Sequence, residues 1–121
     1  MDHTCIVVPV KPGKEAALRD FYREVEGPRN DAFDRSERRL GITKEIAWRA
    51  PTDGGTVAVI YIESEDFESV FGQFVQSTDE FDLWFKQQVL DISGLDLNNP
   101  PEMELPELLS LYEARVGAAR S

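Results

Sequence analysis

Val57-Ala58-Val59-Ile60-Tyr61-Ile62 is six residues without a charge, rich in β-branched side chains and preceded by Asp53-Gly54-Gly55. A short apolar run bounded by turn residues predicts a strand rather than a helix. Its alternating faces are Val57, Val59, Tyr61 and Ala58, Ile60, Ile62, and both are apolar. Cys5-Ile6-Val7-Val8-Pro9-Val10 has the same character and gives a first strand over Thr4 to Val10. A sheet with one wet face alternates apolar with polar residues, whereas these strands require cover on both sides.

Working outward, Thr43 to Arg49 predicts a strand with Ile46 and Trp48 on one face and Glu45, Ala47 and Arg49 on the other. Pro51 to Gly55 joins it to the central strand as an antiparallel hairpin. Between the first two strands, Leu18, Phe21, Tyr22 and Val25 keep the spacing of an amphipathic helix, which Gly27-Pro28 ends or kinks. A second helical piece runs from about Asn30 to Leu40, with Phe33 and Leu40 on one face and Gly41 as its exit. Beyond the central strand, Ser64 or Asp66 can cap a helix carrying Phe67, Val70, Phe71, Phe74 and Val75. Ser77-Thr78-Asp79-Glu80 restarts it as a capping box, Phe81, Trp84, Phe85, Val89 and Ile92 form the buried stripe, and Gly94 stops it.

The closing segment is ambiguous in its periodicity. Leu105, Leu108, Leu109 and Tyr112 fit a helix opened by Pro106, while a four-stranded split βαβ sheet asks for a fourth strand over Glu107 to Glu113. The tertiary requirement favours the strand. The expected fold is thus α+β, a ferredoxin-like βαββαβ antiparallel sheet with helices on one face. It forms one domain over residues 1–115 with a loose tail over 116–121. Helices of about 10 Å width cover one face of such a sheet and leave nothing for the other. A second copy packed sheet to sheet supplies the missing cover, so a homodimer through the open sheet face is expected.

The 121 residues carry a formal charge of -10, with 41% hydrophobic and 30% charged residues. This composition suits one globular domain, and its acidity argues against nucleic acid and anionic membrane as partners. No apolar run reaches the roughly 20 residues of a membrane span, and the start lacks a signal-peptide pattern, so a cytoplasmic protein is expected. Cys5 is the only cysteine, which excludes an intrachain disulfide.

Several of these stretches resemble a known family. The topology is similar to that of the dimeric α/β-barrel superfamily, closest to the L-rhamnose mutarotase group. Val59-Ile60-Tyr61-Ile62-Glu63-Ser64-Glu65 resembles that group's strand leading into a Glu-Ser helix start. Ser77-Thr78-Asp79 followed by Trp84-Phe85 resembles its helix with tandem tryptophans. The resemblance implies paired sheets, a small-molecule pocket in each subunit and a strand over Glu107 to Glu113. The mutarotases carry a catalytic histidine on the first helix, and Arg23 to Phe33 holds none.

His3 is the only histidine and the candidate catalytic acid or base, its other reading being a solvated terminal side chain. A first-strand histidine also resembles the cyclase-like branches of the superfamily. Trp48, Tyr61 and Trp84 are candidate pocket residues between sheet and helices, with Phe85 read as core filling. Arg39, among Arg35, Arg38, Arg39 and Arg49, can hold an acidic ligand group. Glu63, Glu65, Asp66 and Glu68 lack histidine or cysteine neighbours, so no metal is expected, and no dinucleotide or phosphate motif implies a cofactor. The parts suit proton transfer on a carbonyl or sugar-like compound, with His3 or a carboxylate such as Glu45 or Glu63 as base. The rival readings are a non-catalytic dimeric binding or regulatory module and a cofactor-free monooxygenase.

Overall fold

A computed structural model describes residues 1–114. Its elements are β1 (Asp2–Pro9), α1 (Glu15–Glu26), α2 (Asn30–Leu40), β2 (Ile42–Thr52), β3 (Gly55–Ser64), α3 (Phe67–Gln76) and α4 (Glu80–Ser93). β3, which contains the apolar run, is the middle strand of an antiparallel sheet ordered β1-β3-β2. Pro9, with no N–H to donate, is accommodated because β1 is an edge strand.

One irregularity decides which residues of β2 face the helices. Ile42 pairs with Ser64 and Lys44 with Glu63, so Thr43 is an extra residue between them. A strand alternates faces every residue, and one inserted residue moves all that follow to the opposite side. Glu45, Ala47 and Arg49 therefore align with Ile62, Ile60 and Ala58 on the helix side. Ile46 and Trp48 align with Tyr61 and Val59 on the far side. Thr43 itself is tied down by its hydroxyl, which donates to the Glu63 carbonyl at 3.1 Å.

The helices close over one face through a cluster of Val10, Leu18, Phe21, Val25, Ala58 and Ile92, with Tyr22, Phe33, Ile60 and Phe85 packed against it. Asp66 caps α3 by accepting from the Ser69 N–H, and Asp79 caps α4 by accepting from the N–H groups of Phe81 and Asp82. Gly41 and Gly94 end α2 and α4 at φ 89° and 82°, the left-handed region that glycine enters without steric cost.

Two buried charges lock the helices together. Asp82 is fully buried on α4 and accepts from the Ser36 hydroxyl at 2.5 Å, the Ser77 hydroxyl at 2.6 Å and the Arg39 guanidinium. Lys86, one turn on, donates to the carbonyls of Phe74, Val75 and Ser77, the open end of α3. Burial lowers its pKa, against the opposing pull of Asp82 and Asp96.

The expected fourth strand is not formed. Residues 101–114 contain neither strand nor helix, and the sheet has three strands among the described residues. A strand exists only with a ladder partner, and Leu108, Leu109, Leu111 and Tyr112 are all exposed, with no strand of the described residues pairing with them. The tail expected over 116–121 lies outside the described residues. Among the described residues no helix is long and apolar enough to cross a membrane.

Candidate active site

Between the helices and the sheet lies a cavity of about 130 Å³. β1 contributes Ile6 and Val8, β3 contributes Ala58, Ile60 and Ile62, and the helices contribute Phe21, Phe33, Phe71, Phe74 and Phe81. Leu95, Leu97 and Met103 from the segment after α4 complete the wall.

Besides Ser36 and Ser93, three polar side chains interrupt this surface: Tyr22 from α1, Glu37 from α2 and Glu45 from β2. Each has a local reason to point inward. Glu37 falls one helical turn from both Phe33 and Leu40, so the stripe that buries them carries the carboxyl along. Glu45 is turned in by the extra residue at Thr43. Tyr22 belongs to the buried stripe of α1, and its ring meets Phe21 edge to face at 4.7 Å. All three are half-buried.

Glu37 and Glu45 lie close enough for each carboxyl to act on the titration of the other. Two carboxylates this close repel, and the apolar surroundings penalise charge on either. Burial, then the charge and hydrogen bond of Glu45, then Asp82, push Glu37 up to about 10. Burial also raises Glu45, against the opposing effect of the bond from Glu37. Glu37 thus keeps its proton at neutral pH, and the two titrate as a pair. Burial first, then the neighbouring charges of Glu45 and Glu37, raises Tyr22, which stays a neutral phenol able to donate. The arrangement places two carboxyl groups and a phenol on the wall of an apolar chamber. That is the equipment of general acid and base chemistry.

Apart from Glu45, the residues singled out in the sequence lie elsewhere. His3 and Tyr61 are on the sheet face away from the helices, joined from His3 Nδ1 to the Tyr61 hydroxyl at 2.6 Å. That hydroxyl donates to Glu63 Oε2 at 2.9 Å, which makes His3 Nδ1 the donor of its own bond. Burial, the bond to Glu63 and the charges of Glu63 and Glu113 raise Tyr61. Lys44 Nζ stands 3.8 Å from the same Glu63 oxygen. Trp48 is also on that face and is half exposed. Trp84 packs against Phe21 and Phe81 on the helical side, with the Arg29 guanidinium 4.0 Å above its ring, and does not line the cavity. Arg39 is committed to Asp82 and approaches Asp79 at 3.7 Å. The structure thus brings His3 and Tyr61 together and leaves Trp48, Trp84 and Arg39 apart.

Glu45 was named from sequence as a possible base, but Glu37 and Tyr22 were not. The signal for both was present in the spacing, since Tyr22 follows Leu18 by one helical turn and Glu37 falls one turn from Phe33 and from Leu40. Among the described residues no group of three or more histidine, cysteine, aspartate or glutamate side chains is placed to hold a metal ion. Compared with models of known protein families, with curated proteins and with solved structures, the chain finds no match.

Proposed function

We propose that this protein transfers protons on a small carbonyl compound held in the cavity between helices and sheet, without a cofactor. The carboxyl pair of Glu37 and Glu45 on an otherwise apolar wall is the observation that carries this reading. In this reading the base is Glu45 in its ionised form, which desolvation makes stronger than a carboxylate in water. The protonated member and the Tyr22 phenol are donors for the oxygen on which negative charge develops. A pair that begins and ends with one proton needs no external reset, so it suits an isomerisation in which the proton leaves one carbon and returns to the same or another.

The test is hydrogen–deuterium exchange at the α-carbon of simple carbonyl compounds in D2O, followed by proton NMR. Exchange above the buffer rate is expected, falling about 100-fold in Glu45→Gln or Glu37→Gln, the usual scale of a general acid or base. Absence of exchange with every carbonyl compound, or full rates in both variants, would refute the reading.

The assembly that goes with this reading is a homodimer through the outer sheet face. Val7, Ile46 and Trp48 are exposed there, beside Cys5, Val57 and Val59 on the same side of the ladder. An apolar surface contributed by three strands favours cover by a second copy. The proposed ferredoxin-like pairing into a barrel places both cavities on the outside of that dimer. Light scattering behind a sizing column tests it: a species of 13.7 kDa at micromolar concentration would rule the dimer out.

A further inference from the structure

The polar groups of the cavity restrict what it accepts, and this inference rests on the proton-transfer reading above. Among the described residues no lysine, arginine or histidine lines the wall, so an anionic ligand meets carboxyl groups there. Of the two serines there, the Ser36 hydroxyl is engaged with Asp82, and the Ser93 hydroxyl donates to the Val89 carbonyl at 2.6 Å. Only Tyr22, Glu37 and Glu45 remain, and they are near enough for the two carboxyls to act on each other and on the phenol. A sugar would bring hydroxyls around its whole circumference, and most would face phenylalanine and aliphatic carbon without a partner. Size sets a second limit. An apolar cavity of about 150 Å³ takes a benzene-sized guest, and this one is about 130 Å³.

We propose that the substrate is a neutral, lipophilic carbonyl compound of about one six-membered ring. Its oxygen lies at the Glu37, Glu45 and Tyr22 end, and its hydrocarbon body lies among the phenylalanines. The ionised carboxylate takes the α-proton, breaking the C–H bond and forming O–H. The electron pair left on carbon moves into the carbonyl to give an enolate, whose oxygen is held by the protonated carboxyl and the phenol. Reprotonation at the same carbon gives exchange. In a β,γ-unsaturated ketone, reprotonation at the far end of the double bond gives the conjugated isomer. Nothing is oxidised or reduced.

The experiment offers four probes to the intact protein: cyclohexanone, the keto acid levulinate, the sugar L-rhamnose and cyclohexylammonium. Binding is read by ligand-observed NMR, and α-exchange or anomer interconversion is read in the same tubes. Cyclohexanone is expected to bind at least tenfold more tightly than the other three and to exchange its α-protons. It should also be displaced by a Phe33→Trp substitution that fills the chamber. Preference for levulinate, rhamnose or the ammonium ion overturns the substrate class while leaving the carboxyl pair as the acid–base group of whichever probe reacts. Binding of cyclohexanone without exchange upholds the class and overturns the proton-transfer reading. If none of the four binds or reacts, the class is overturned as well.

Discussion

Replacing Glu37 with glutamine should make the protein more stable at pH 8 and remove much of its pH dependence. In the unfolded chain Glu37 titrates at its ordinary value of 4.5, and in the fold at about 10. Below the first value both states are protonated, and above the second both are ionised. Between them the folded state holds a proton that the unfolded state has lost, so stability falls as pH rises through this window. One proton gives a ceiling of about 1.4 kcal/mol per pH unit, or about 2.7 kcal/mol from pH 6 to pH 8. Both side chains keep part of their surface in water, which screens the interaction and reduces the expected loss to about 1 kcal/mol. In Glu37→Gln the amide stays neutral and can donate to an ionised Glu45, so the same interval should cost much less. Urea unfolding at pH 6, 7 and 8 measures the difference, expected as a drop of roughly half a molar in the wild-type midpoint relative to the variant. Parallel pH profiles for the two proteins would refute the shared proton.

Asp82→Ala removes the acceptor of Ser36, Ser77 and Arg39 and should cost about 3 kcal/mol by urea unfolding. On β3, Ile60→Asp puts a charge into the cavity wall and should unfold the subunit, whereas Val59→Asp on the outer face should leave a folded monomer. Circular dichroism and light scattering separate those outcomes. His3→Ala breaks the contact with Tyr61 on the far face and should leave carbonyl exchange within twofold of wild type, which the NMR exchange assay measures.

The strands and helices were legible because their patterns are local. The apolar runs around Ile6 and Ile60 can only be strands, and the stripes through Phe21 and Phe81 can only be buried helical faces. The site was harder to see because it depends on one residue of register. Read as a regular strand continuing from Ile42, β2 turns Ile46 and Trp48 toward the helices. The extra residue at Thr43 reverses that and brings Glu45 inside. Glu37 was hidden differently: a carboxyl in an apolar stripe reads as a solvated interruption until a partner across the cavity is known. Only the sheet register supplies that partner. The closing segment shows the opposite failure. Its fourth strand follows from the needs of the sheet, and Leu108 to Tyr112 find no ladder partner among the described residues.

The claim on which the rest depends is that Glu37 and Glu45 share a proton at neutral pH. Carbon-detected NMR titration of the two side-chain carboxyls tests it directly, with Glu37→Gln and Glu45→Gln used for assignment. The account predicts that one carboxyl of the pair is still protonated at pH 7 and titrates far above the ~4.3 of a free glutamate, toward the value of about 10 expected for Glu37. Two carboxyls that are both fully ionised by pH 6 would contradict it.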